Sequence, residues 1–191
     1  MQLEAEDDLK CNLITFKFIA FKTTGKLDLI NVPKRMQIVM RFFSFPEIQT
    51  DNVSLRLPGT SADLQELMPG QTYYLGKDRF VESVGGKVQK EKNSTLNDPD
   101  LISVSFEVDP SLSMVKDENL ALAHYMKDHY MSVEIYDADS KFHYASCKLP
   151  LNELLRQQKS QVIRAKECEV CAPDSTEYRG SLQVIMSNLG K

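Results

Sequence analysis

Asp137-Ala138-Asp139 is the acidic pair in this chain best placed to do chemistry. It directly follows an alternating apolar segment, and two carboxylates on one loop are hard oxygen ligands of the kind calcium takes. Calcium needs about six to eight oxygens. The nearest further aspartate of interest, Asp28, stands alone, and no acidic residue lies between Ser140 and Leu149. The pair therefore reads as an Asp-rich turn that ends a strand, and no metal site is expected.

Cys168-Glu-Val-Cys171 has the C-x-x-C spacing that can hold a metal between thiolates. A structural zinc needs four ligands, and no second C-x-x-C or paired histidine follows, although Cys11 or His143 could approach in space. In a strand, residues three apart face opposite sides, so one of the two cysteines should be core and the other exposed. His124 and His129 are five apart, not the four of an H-E-x-x-H face. There is no G-x-S-x-G elbow, Walker loop or G-x-G-x-x-G turn. The chain is thus expected to be non-enzymatic and to carry no cofactor. Asn52-Val53-Ser54 and Asn93-Ser94-Thr95 match the glycosylation acceptor pattern, which matters only in a secreted protein.

Composition sets the frame for these residues. A chain of 191 residues with 42% apolar and 26% charged side chains is a globular class of sequence. Its net charge of −4, from 23 basic and 27 acidic residues, gives no general attraction for phosphate backbones, so no nucleic acid is expected. Apolar runs stop at four residues, as in Phe18–Phe21, against the roughly 20 of a membrane span. Met1 is followed by the acidic stretch Glu4 to Asp8, not by a signal-peptide pattern, so a cytoplasmic location with reduced cysteines is expected.

Period-2 alternation identifies the elements that must position the candidate residues. Ile14, Phe16, Phe18 and Ala20 share a face in Asn12–Phe21. Met36, Ile38, Met40 and Phe42 do so in Met36–Phe42, where Val39 and Arg41 lie on the other side. Val53, Leu55 and Leu57 form a short set, followed by strands at Leu101–Val108, Tyr130–Tyr136, His143–Leu149, Gln161–Val170 and Tyr178–Met186, with a weak one near Phe80–Val84. Val133, Ile135, Leu182 and Val184 are expected core residues. Helical spacing appears at Leu122, Tyr125, Met126 and His129 after a capping Asp117, and again after Pro150 at Leu151, Leu154 and Leu155. The pattern predicts an all-β fold: an antiparallel eight-stranded β-sandwich with short crossover helices. Residues 1–11 read as a tail, 12–190 as one domain, and about 82–100, with Gly85-Gly86 and almost no apolar side chain, as a flexible loop.

Residues Leu122 to Leu155 carry a more specific pattern: Tyr125-Met126, then Met131-Ser-Val133-Glu-Ile135-Tyr136-Asp137-Ala-Asp139-Ser140, then Ala145, Leu149 and Leu154-Leu155-Arg156-Gln157. This resembles the second half of a C2 domain, with Tyr136 in the usual tryptophan place. Together with Ile38-Val-Met40-Arg-Phe42-Phe43-Ser-Phe45-Pro46 and the ending Gly180-Ser-Leu182-Gln-Val184 and Asn188-Leu189-Gly190, it resembles the nephrocystin-4 family. The resemblance implies a C2-like domain of a large scaffold at the ciliary base, transition zone or basal body. It also implies partners there, namely nephrocystin-1-like and retinitis-pigmentosa-GTPase-regulator-interacting proteins.

Two functions follow from the residues. A protein-interaction module would use the apolar second face of the Met36–Phe45 stretch, where Val39, Phe43 and Phe45 are expected to lie together, either exposed or packed under a helix or loop. A calcium-independent membrane-docking C2 domain would instead use basic residues near the first two strands. Lys34, Arg35 and Arg41, with Lys22 and Lys26, are the candidates for that weak membrane contact. Calcium-dependent C2 domains cluster about five loop aspartates, and only Asp28, Asp137 and Asp139 are placed for that here.

Overall fold

A computed structural model describes residues 12–25, 32–57, 66–77, 101–109, 118–156 and 160–189. Asp28, Lys26, Asp117, the weak strand near Phe80–Val84, the tail 1–11 and the loop at 82–100 lie outside the described residues. The elements run β1 (Asn12–Thr23), β2 (Arg35–Met40), β3 (Ile48–Gln49), β4 (Val53–Arg56), β5 (Thr72–Lys77), β6 (Ile102–Val108), α1 (Glu118–Asp128), β7 (Tyr130–Asp137), β8 (His143–Pro150), β9 (Val162–Cys171) and β10 (Tyr178–Asn188). A 3-10 turn, Asn152–Leu154, joins β8 to β9.

The fold is mostly β with antiparallel pairing throughout, and C2-like, but the two separate sheets of a sandwich are not what the strands make. They form one continuous sheet, β10-β9-β8-β7-β2-β4-β5-β1, closed by a β1–β10 ladder into an eight-stranded barrel. β6 branches from β1 and β3 from β2. Closure leaves the ring strands no free row of backbone groups where the ladders are complete.

A slip in β1 makes this closure possible. The register with β10 shifts between Phe18 and Ala20, so Ile19 is an extra residue, a bulge. Before it, Ile14, Phe16 and Phe18 point inward; after it, Phe21 and Thr23 do. On its other side β1 pairs β6 through Phe18 and β5 from Ala20. The bulge thus marks the point where one strand passes from one neighbour to another, which simple alternation cannot reveal.

Val133, Ile135, Leu182 and Val184 are all buried, as expected from their alternation. An aromatic cluster of Phe16, Phe42, Phe106 and Phe45 fills one end of the core, with Phe42 and Phe106 centroids 4.8 Å apart. β2 ends at Met40, not Phe42, because the chain turns sharply at Phe43, which has a φ of 49°. β5 is a strand that the sequence reading missed, since Tyr73 and Leu75 are its only inward apolar pair and Gly76 follows. Pro150 ends β8, and the short helical turn expected after it is the 3-10 helix Asn152–Leu154, with Leu151 at its N-cap.

In α1, Leu122 and Met126 are buried while His129 lies exposed just beyond the helix. The Leu154-Leu155-Arg156 segment has a definite structural task. Leu154 is fully buried, its carbonyl accepts from Asn188 Nδ2 (3.2 Å), and Arg156 Nε donates to Asn12 Oδ1 (3.2 Å). Asn12 also accepts from Asn188 Nδ2 (3.0 Å) and donates to Asn119 Oδ1 (3.2 Å). This polar clasp joins the start of β1, the end of β10, the 3-10 turn and α1.

Candidate functional site

On the outer face of β2, β3 and β7 lies a groove of about 260 Å³ lined by Gln37, Val39, Arg41, Glu47, Gln49, Glu134, Tyr136 and Lys141. Antiparallel register puts these side chains in rows. Val39 stands opposite Glu134 on β7 and Gln49 on β3, and Gln37 opposite Tyr136. The inward partners on the same strands, such as Ile38 opposite Ile135, are core. The groove is therefore the solvent side of strands whose other side fixes their positions.

Its polar groups are already engaged with one another. Gln37 Oε1 accepts from Lys141 Nζ (2.7 Å) and Gln49 Nε2 (2.8 Å), and Gln37 Nε2 donates to Asn52 Oδ1 (3.0 Å). Arg41 is paired with Glu47 at 2.6 Å, and that hydrogen bond, with the nearby Glu134 charge, raises the guanidinium pKa above its ordinary value. Tyr136 donates to Glu134 at 2.8 Å, and this bond, with burial and the same carboxylate's charge, raises the phenol above its ordinary value. Tyr136 also stacks on His143, with ring centroids 4.6 Å apart. Two cations, two carboxylates and an apolar floor at Val39 make a surface of mixed sign.

The Asp137-Asp139 turn borders this groove through Lys141. Asp137 accepts from the Asp139 N–H (3.0 Å) and the Ser140 hydroxyl (2.6 Å), an Asx-type turn. Burial pushes the Asp137 carboxyl up, but these hydrogen bonds and the Arg35 charge outweigh it and hold the group below its ordinary value. Asp139 forms an ion pair with Arg35, whose Nε lies 3.3 Å from Asp139 Oδ2. Asp137 is thus engaged within the turn and Asp139 by Arg35 of β2. Among the described residues, no group of three or more His, Cys, Asp or Glu side chains is placed to hold a metal.

The candidate residues of the sequence separate in space. Val39 lies in the groove, only 8% exposed. Phe43 and Phe45 lie beyond the end of β2, half-buried against the core: Phe43 meets Tyr125 at 5.4 Å and Phe45 meets Phe106 at 5.2 Å. They do not form one patch with Val39, because the turn at Phe43 carries the chain off the strand. Of the basic candidates, Lys34 is exposed, Arg35 faces Asp139 and Arg41 faces Glu47. Cys168 and Cys171 are both half-buried instead of one core and one exposed, because Cys171 sits at the β8–β9 junction opposite Ser146. The groove residues Gln37, Glu134, Tyr136 and Lys141 were not singled out from the sequence as a site. Their signal was only that they are the polar half of alternating strands, a signal shared by every solvent face.

The whole chain, residues 1–191, matches the family model described as the nephrocystin-4 C2 third domain. The chain belongs to that family. The family resemblance of the Tyr136-Asp137-Ala138-Asp139-Ser140 and Gly180-Ser181-Leu182 segments now has a structural meaning, since the first is the turn beside the groove and the second closes the barrel. In this nephrocystin-4 C2 domain, Gly180 has φ 147° and a Cβ there would lie 2.4 Å from the Lys22 carbonyl oxygen, so no larger residue fits at that point of closure.

Proposed function

We propose that this nephrocystin-4 C2 domain is a non-enzymatic protein-interaction module of a ciliary transition-zone scaffold. Its partners would be other transition-zone proteins of the nephrocystin-1 and retinitis-pigmentosa-GTPase-regulator-interacting kinds. The groove is its docking surface. The observation that carries this reading is the groove's composition: paired charges of both signs around Val39 suit the polar and apolar surface of a folded or extended partner. A lipid headgroup layer would be met by a contiguous basic surface, and two of the basic candidates, Arg35 and Arg41, each face a carboxylate.

The test is binding of purified partner fragments to the domain, read by interferometry, beside co-sedimentation with phosphatidylserine vesicles. Gln37→Ala with Glu134→Lys is expected to weaken partner binding at least tenfold, whereas Lys34→Glu leaves it unchanged. Vesicle binding lost with Lys34→Glu, in a domain that captures no partner, would refute the proposal.

A further inference from the structure

Among the described residues, the strand edges of β6 and β9 that the barrel leaves unpaired differ in kind. β9 pairs β10 along its length but β8 at a single position, Ser146 opposite Cys171. Arg164 and Lys166 lie on its core-facing row, opposite Met186 and Val184, and Lys166 is tied to Glu153 of the 3-10 turn at 2.6 Å. Inward-pointing charges and a covering turn are devices that block edge-to-edge pairing. β6 has neither. Among the described residues it pairs with β1 alone, in a regular ladder from Asn12 opposite Val108 to Phe18 opposite Ile102, without a bulge. It contains no proline and no lysine, and its core-facing row is Ile102, Val104, Phe106 and Val108, with Val104 half-exposed.

We propose that β6 is a pairing edge for a second copy of this chain, two β6 strands meeting antiparallel about a twofold axis at Ser105. The argument is self-complementarity. Antiparallel partners share a face, so the axis must pass through a residue, and only Ser105 keeps all seven residues of β6 paired. Ile102 then faces Val108 of the other copy and Val104 faces Phe106, apolar against apolar on the core side. On the outer side Ser103 faces Glu107, and Ser105 faces Ser105. The two Glu107 carboxylates are four residue spacings apart, about 13 Å, so no like charges oppose. The Thr15–Ser105 hydroxyl pair, 2.9 Å apart on the β1 side, already shows this row joined across a ladder. Seven residues a side is far below the roughly 20–30 of a standard interface, so the association is weak and concentration-dependent. This pairing is independent of the groove on β2, β3 and β7.

Sedimentation velocity on the chain from about 10 μM to 1 mM tests it, a range suited to so small an interface. The expected result is a weight-average mass rising from 21.7 kDa toward twice that value. Ser105→Lys and Ser105→Asp each place like charges across the axis at an exposed position, and each alone is expected to stay monomeric. An equimolar mixture of the two is expected to associate at least as well as the native chain, a rescue that loss of folding cannot imitate. A native chain that stays monomeric to 1 mM, dimers indifferent to Ser105→Lys, or a mixture that fails to associate would each overturn the proposal. So would a monomeric chain whose β6 edge takes up a partner's extended peptide.

Discussion

Gly180 and Cys147 show how much single positions contribute here. Gly180 lies where β10 meets Thr23 of β1, and a methyl group at that α-carbon would meet a backbone oxygen that cannot move aside without opening the barrel. Gly180→Ala is expected to destabilise the fold by more than about 2 kcal/mol, measured by urea unfolding. Cys147 is buried, and burial pushes its thiol up to about 12 from an ordinary 9.0, with smaller contributions from the Cys168 and Cys171 thiols. A folded pKa above the unfolded one means that its contribution is fully present below about pH 9 and is lost as pH rises toward 12, since only the unfolded chain ionises in between. The slope is about 1.4 kcal/mol per pH unit at most. Cys147→Ala should therefore start less stable than the native chain at pH 8, yet lose less stability between pH 8 and pH 10. Equal losses would show that this thiol does not govern the alkaline limb.

At the scale of elements, β1 carries the most information. Its inward residues change from even to odd numbers at Ile19, and its second neighbour changes from β6 to β5 at the same place. Deleting Ile19 restores perfect alternation and keeps Phe18 and Phe21 on the inward face, but it removes the bulge at which β1 passes from β6 to β5, so the expected outcome is a lower midpoint of thermal unfolding with the core residues unchanged. The same element explains what was legible. The faces of Asn12–Phe18, Met131–Ile135 and Leu182–Met186 follow alternation because each strand buries one side, and the sequence records that side directly. The closure into a barrel is not recorded in this way, because it depends on one extra residue and one glycine. The groove was also hidden: Gln37, Glu134 and Tyr136 converge only through the β2–β7 register, which no single strand specifies. Phe43 and Phe45 take the packed alternative that the sequence left open, against Tyr125 of α1 and Phe106, because a turn with positive φ at Phe43 removes them from the strand whose alternation they seemed to continue.

The whole molecule is held unevenly. The β1–β10 and β9–β10 ladders run almost the full length of their strands, whereas β8 and β9 meet at the single pair Ser146 and Cys171. Over the rest of that seam the 3-10 turn takes the place of a ladder, with Leu151 and Leu154 buried beneath it and the Lys166–Glu153 pair at its rim. Apolar burial should dominate, because both charged side chains of that pair keep about a third of their exposure and a partly solvated pair contributes at most about 1 kcal/mol. Leu154→Ala removes a fully buried side chain and leaves the Asn188 contact to its carbonyl in place, so it should cost about 2–5 kcal/mol. Glu153→Ala should cost less than about 1 kcal/mol. Local opening follows the same inequality. In native-state hydrogen exchange, the amides of β10 and of β1 between its two ladders should be the slowest, and those of β8 and β9 facing the seam the fastest of any strand in the ring. Leu154→Ala should speed exchange at the seam far more than in β10. Uniform acceleration across the ring would mean that the barrel opens as one unit and that the seam is not its weak side.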